Sequence, residues 1–220
     1  GSSGALCAAL WDRYGIHKPA GRMEPDDLTG MIRILSALES PIHGKSSGFD
    51  PLVAWLGQPV RLIPGGIPEP VPAGSGGMAS RGSAILLVDT GRPGSTGPLV
   101  GNFLQQFFPG GSVTSEGEQF RRLADQAISR FLSVEGSRFS EVLSQLSGFQ
   151  LEKLSPMIPK NFLPLWREGL RTGLFTFKLC GSGGGGYLLC FTGDPAATQD
   201  FFREAPGGPY GCLPVTPFTR

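Results

Sequence analysis

The stretch Leu174-Phe175-Thr176-Phe177-Lys178-Leu179-Cys180-Gly181-Ser182-Gly183-Gly184-Gly185-Gly186-Tyr187-Leu188-Leu189-Cys190-Phe191 sets six small residues between two apolar runs. Its pattern is strand, glycine loop, strand. Glycines pack no core and lose the most backbone entropy on ordering, so a run this long needs a reason, usually close approach of backbone to a ligand or to another segment. Amides converging on one point would make that ligand an anion. In a chain with 34 Gly and 20 Pro, a plain hairpin connection stays open as the other reading.

Working outward, Asn161–Thr172 reads as a helix leading into the first strand, Pro195–Glu204 as a helix after the second, and Leu213–Phe218 as a closing strand. Upstream, Ala84-Ile85-Leu86-Leu87-Val88-Asp89 reads as a buried strand, Thr90–Pro98 as a loop, and Leu99–Phe108 as a helix. Glu116–Val134 and Arg138–Leu146 read as amphipathic helices, with Phe120, Leu123, Ala127, Ile128, Phe131 and Leu132 as one buried stripe. Nearer the start, Gly1-Ser2-Ser3-Gly4 precedes the helix-forming run Ala5–Trp11, so the serines sit where an N-cap and first turn belong; a linker is the competing reading of those four residues. A second helix is expected over Pro25–Leu38, with Leu28, Met31, Ile32, Ile34, Leu35 and Leu38 at helical spacing and Asp26 and Asp27 in its first turn. It delivers Glu39 at its end, after which His43-Gly44-Lys45-Ser46-Ser47-Gly48-Phe49-Asp50-Pro51 turns the chain. Gly57–Gly82 is rich in Pro, Gly and Ser, with short strands expected around Pro59–Ile63 and little order over Pro68–Ser80. This order predicts an α+β fold, a sheet with helices on one face, divided near Ser83 into domains 1–83 and 84–220.

With 40% hydrophobic and 17% charged residues the chain is long enough for a real core. A formal net charge of +1 without Lys/Arg blocks argues against nucleic acid and anionic membranes as partners. A small molecule is the expected ligand, and a homodimer stays open. Cys7, Cys180, Cys190 and Cys212 show neither CxxC spacing nor a His pair, so reduced, mostly buried thiols are expected. No stretch reaches the length of a membrane span and no basic n-region with an apolar h-region stands at the start, so a cytoplasmic protein is expected.

Four separated segments together resemble the GHMP small-molecule kinases, the family of galactokinase, homoserine kinase, mevalonate kinase and phosphomevalonate kinase. Gly1-Ser2-Ser3-Gly4-Ala5 is similar to the second half of that family's phosphate loop. His43-Gly44-Lys45-Ser46-Ser47-Gly48-Phe49-Asp50 resembles the His-Gly-x-Pro-Ser-Gly-x-Asp segment of the mevalonate kinases, with Ser46 where Pro is usual. Asp89-Thr90-Gly91-Arg92-Pro93-Gly94-Ser95-Thr96 is similar to their Asn-Thr-x-x-Pro-Arg-Ser-Thr stretch, with Gly94 in place of the arginine. Lys178 to Gly186 resembles the third motif, Lys-x-x-Gly-Ala-Gly-Gly-Gly-Gly.

The resemblance implies two domains, part of a ribosomal-protein-S5-domain-2-like unit followed by a ferredoxin-like one. It also implies that the family's opening strands, first half-loop and substrate-side lysine lie upstream of Gly1. The implied activity is phosphoryl transfer from ATP, with Mg²⁺, to a small alcohol, mevalonate first. A phosphomevalonate or sugar kinase and a catalytically inactive ligand-binding relative are the alternatives. In this scheme Gly1, Ser2, Ser3, Gly4 and Ala5 hold the ATP phosphates, with Gly181, Ser182, Gly183 and Gly184 facing them. Ser3 and Glu39 bind the metal, and Asp50 is the catalytic base or hydroxyl-orienting group. His43, Ser47, Gly48, Thr90 and Thr96 lie against the acceptor. The residues by themselves leave Asp50 open as an Asx-Pro turn, Glu39 as a solvated helix-end acid, and Thr90 and Thr96 as caps of the following helix.

Overall fold

In a computed structural model, residues 2–16, 25–43, 46–63, 68–71, 83–94, 96–133 and 138–215 are described. Gly1, Gly44, Lys45 and Ser95 lie outside them, as do the side chains of Ser2, His43 and Thr96. The chain divides into two compact units, Gly1–Ser75 with Pro217–Arg220, and Gly76–Thr216.

The first unit holds helices α1 (Ser2–Tyr14), α2 (Pro25–His43) and α3 (Phe49–Leu56), with a two-stranded antiparallel ribbon of β1 (Val60–Arg61) and β2 (Glu69–Pro70). Helix α2 is amphipathic in the expected register, and Leu28, Met31 and Leu35 bury together with Leu52 of α3. Ile34 and Leu38, expected on the same buried face, are exposed, as are Ile42 and, on α1, Leu6, Leu10 and Tyr14. Three expectations about the chain's elements change here. Helix α2 runs past Leu38 to His43 with Pro41 inside its last turn, where only one backbone hydrogen bond is forfeited. The segment read as a turn through Pro51 instead starts α3 at Phe49, because Pro51 falls in the first helical turn, where a missing N–H costs nothing. The ribbon also orders Glu69 and Pro70, within a stretch expected to have little order.

The second unit is built on a four-stranded antiparallel sheet ordered β4-β5-β3-β6, from β3 (Ala84–Asp89), β4 (Phe175–Leu179), β5 (Tyr187–Thr192) and β6 (Cys212–Pro214). Between β3 and β4 run α4 (Thr96–Phe107), α5 (Ser115–Leu132), α6 (Phe139–Lys153) and α7 (Phe162–Thr172); α8 (Pro195–Glu204) joins β5 to β6. Strand, helices, hairpin, helix, strand is the split βαβ pattern. Caps explain the helix ends: Thr114 Oγ1 accepts from the Gly117 amide at 3.1 Å, Asp194 Oδ1 accepts from the Ala197 amide at 3.0 Å, and Gly173 closes α7 at φ 70°. Helix α4 begins at Thr96, three residues earlier than the periodicity suggests, and α6 continues seven residues past Leu146.

Register places Phe177 opposite Cys190, Cys190 opposite Leu86, and Val88 between Leu188 and Cys212. These side chains share the core face with Phe107, Phe149, Phe162, Trp166 and Phe202 from α4, α6, α7 and α8. Two polar groups reach into this core with partners. Trp166 Nε1 donates to Ser147 Oγ at 2.8 Å, and Gln150 Oε1 accepts from the Leu179 amide at 3.1 Å, covering a donor on the edge strand. The expected α5 stripe holds for Ala127, Phe120 and Leu123, but Ile128 points outward at 39% exposure.

Candidate active site

The first turn of α1 lies directly on the first turn of α3. A Cβ on Gly4 would stand 2.8 Å from Asp50 Cβ and 3.0 Å from the Pro51 nitrogen, so only glycine lets the two helix N-termini come this close. Each terminus leaves its first amides without intrahelical acceptors and carries the positive end of a helix dipole. Two such ends side by side favour negative charge between them.

Into this corner α2 brings Glu39, only 6% exposed. Its carboxylate accepts from Ser3 Oγ through Oε1 at 2.8 Å and from Ser46 Oγ through Oε2 at 2.5 Å. Ser46 is itself fixed. Its Oγ accepts from the Gly48 amide at 2.9 Å, and its carbonyl accepts from Ser36 Oγ at 2.7 Å. Gly48 locks the turn to α2: at φ 74° its Cβ would come 2.4 Å from the Ile32 carbonyl oxygen. The Cys7 thiol beside this cluster is pushed up, first by burial and then by the charge of Glu39.

In the first unit the structure brings several of the residues singled out from the sequence together. Ser3 and Glu39, expected as a pair from residues 36 apart, are hydrogen-bonded. Gly4 and Ala5 stand in the first turn of α1, Ser47 is exposed with its Oγ accepting from the Phe49 amide at 3.4 Å, and Gly48 is buried. Asp50 is exposed in the first turn of α3, a helical position and not an Asx-Pro turn. His43 closes α2. Ser46 was missed as a site residue; its signal was the departure from proline at that position, since proline has no hydroxyl to give Glu39.

A hard divalent cation fits this donor set. A buried carboxylate and two hydroxyls converge as oxygen ligands, and Mg²⁺ needs only one or two protein carboxylates when substrate phosphates and water complete its shell. Among the described residues no group of three His, Cys, Asp or Glu could hold a metal on its own. The apolar recess of about 430 Å³ lined by Leu10, Trp11, Tyr14, Gly15, Ile16 and Leu38 includes none of these polar groups.

In the second unit the glycine loop differs from the phosphate cradle its composition suggests. The Gly183 amide donates to the Cys180 carbonyl at 3.2 Å, the Gly184 amide to the Met157 carbonyl at 2.6 Å, and the Gly186 amide to the Arg92 carbonyl at 2.6 Å. Gly183 and Gly184 therefore cannot offer those amides to an anion, which corrects their reading as phosphate donors. Gly181 is exposed at the loop's start, next to Ser182. Glycine is required by close approach, since a Cβ on Gly183 would lie 2.4 Å from the Met157 oxygen and one on Gly185 2.4 Å from the Pro93 oxygen. Thr90 is held within the second unit. It is 3% exposed, and its Oγ1 donates to the Gly186 carbonyl at 2.7 Å, so its one proton is spent inside the protein. Thr96 opens α4.

No protein-family model matches the sequence, and no curated protein matches it significantly. Solved structures do resemble the fold. Against L. major mevalonate kinase in complex with R-mevalonate the TM-score is 0.62 at 16% identity, covering 98% of this chain and 65% of that one. Against mevalonate kinase from methicillin-resistant Staphylococcus aureus MRSA252 it is 0.56 at 19% identity, covering 92% and 61%. The chain has the mevalonate kinase-like fold of mixed helix and antiparallel sheet, as its motifs led us to expect, and spans under two thirds of either neighbour's length.

Proposed function

We propose that this polypeptide carries out ATP-dependent phosphorylation of a small alcohol, with mevalonate the leading acceptor. The observation that carries this reading is the hydrogen-bonded cluster Ser3–Glu39–Ser46 at the paired N-termini of α1 and α3. Phosphoryl transfer asks a protein chiefly for positioning and charge stabilisation. The N-terminus of α1, at Ser2 to Ala5, carries the positive end of the helix dipole and suits phosphate oxygens. Glu39 and Ser3 would hold Mg²⁺, which when bound neutralises phosphate charge. Asp50 stands exposed at the start of α3, able to accept or orient the proton of an acceptor hydroxyl. The mevalonate seated in the L. major neighbour supports a small alcohol of that kind for a chain sharing its fold.

The test is ADP release by the gene's full product with Mg²⁺-ATP and a panel of mevalonate, phosphomevalonate, homoserine and galactose. Mevalonate-dependent release is expected, and Asp50→Asn should lower turnover about 100-fold or more while nucleotide binding stays intact. Nucleotide binding without acceptor-dependent ADP would leave a ligand-binding protein, and near-normal turnover in the variant would remove Asp50 from the chemistry.

A further inference from the structure

The turn after β3 and the glycine loop between β4 and β5 are laced together. The Gly186 carbonyl accepts both the Thr90 amide at 2.9 Å and the Thr90 hydroxyl at 2.7 Å. The Gly186 amide returns a bond to the Arg92 carbonyl at 2.6 Å, whose oxygen also lies 3.4 Å from Thr90 Oγ1. Gly185 packs against the backbone of Arg92 and Pro93. On its other side the Gly184 amide is tied to Met157, in the short turn Ser155–Met157 after α6. Four of the loop's glycines sit at positive φ, Gly181, Gly183, Gly184 and Gly186. Such a backbone has many alternatives open to it, so its single shape must come from these outside bonds.

We infer that Thr90 is a positioning residue, whose buried hydroxyl fixes the shape of the glycine loop and through it the affinity of the protein for a nucleotide. This rests on the phosphotransfer reading above together with the resemblance, which implies a phosphate contact for Gly181 and Ser182. The hydroxyl contributes what the amide cannot. One amide sets the distance between turn and loop, whereas amide and hydroxyl together on one carbonyl also set its direction, and with it the peptide plane between Gly186 and Tyr187. A purely structural Thr90 would support the sheet and leave ligand affinity alone.

The experiment compares the wild type, Thr90→Ser and Thr90→Val by amide hydrogen exchange over 181–187 and by calorimetric titration with Mg²⁺-ATP. Valine keeps the shape and removes the hydroxyl; serine keeps the hydroxyl. We expect Thr90→Val to speed exchange in the loop about tenfold and weaken nucleotide binding about fivefold or more, with β3 and β5 protected as before, and Thr90→Ser to stay within about twofold of wild type in both. Unchanged loop exchange in Thr90→Val overturns the proposal. So does faster exchange with unchanged nucleotide affinity, and so does a serine variant as impaired as valine. A wild type that binds no nucleotide overturns the phosphotransfer reading and this proposal with it, whereas a wild type that binds while valine leaves affinity unchanged overturns this proposal only.

Discussion

Two glycine- and serine-rich places in this chain look alike on paper, the first turn of α1 with Ser46–Gly48, and the loop 181–186. In the structure they do opposite things. Around Glu39, small residues serve to bring polar groups together: Gly4 and Gly48 permit close packing, and the hydroxyls of Ser3 and Ser46 converge on one carboxylate. In the loop, small residues serve to bring backbone to backbone, and three amides are consumed by the carbonyls of Cys180, Met157 and Arg92. A buried charge with donors aimed at it marks a place for chemistry, because its desolvation must be repaid by partners or by a bound ion. A loop that satisfies itself is a shaped wall.

The sharpest way to break this comparison is to add one methyl group to the loop. Gly183→Ala forces an L-residue to φ 68°, about 1–2 kcal/mol by itself, and drives its Cβ onto the Met157 oxygen. The expected loss in urea unfolding is about 3 kcal/mol or more. Gly181→Ala, at φ 54° with open space around it, should cost only about 1 kcal/mol. Equal costs would mean that the loop is not clamped by its neighbours.

Much of this was legible in the sequence, and what was not has a physical cause. Apolar runs located β3, β4 and β5, and α8 spans Pro195–Glu204 as expected. The third helix was hidden because Pro51 punctuates a sequence as a turn yet is harmless in a first helical turn. Spacing alone could not pair Ser3 with Glu39, since that contact is tertiary; the resemblance supplied it. Nor could composition show where the loop's amides point. One acceptor, Met157, comes from a segment with no motif of its own, and another, Arg92, from a motif whose contact with the loop is tertiary.

A milder challenge addresses the cluster. Glu39→Gln keeps the size of the side chain but exchanges one acceptor oxygen for a donor, so one of the two serine hydroxyls must turn away. The stability cost should be about 1 kcal/mol, far below that of Gly183→Ala, while the Mg²⁺ concentration needed for half-maximal nucleotide binding should rise about tenfold if Glu39 is a ligand. An unchanged metal titration would make the cluster a structural network, no different in kind from the loop.

The smallest effect expected comes from Lys178, at the base of the loop. Its Nζ donates to the Leu179 carbonyl at 3.0 Å. Burial holds its ammonium below the ordinary lysine value of 10.5, with the nearby Cys180 opposing the shift. The unfolded chain therefore keeps this proton up to about pH 10.5, whereas the native protein gives it up earlier. Through that alkaline window the unfolded state binds more protons, so stability rises with pH on account of Lys178. Below the window the native state bears the cost of a desolvated charge. Lys178→Met removes that cost, so the variant should be more stable than wild type at pH 7, and the difference should shrink as pH approaches 10.5. Unfolding by urea at several values from pH 7 to 10.5 measures it. A difference independent of pH would show that Lys178 is solvated in the native protein, and that the wall formed by the loop is open at its base.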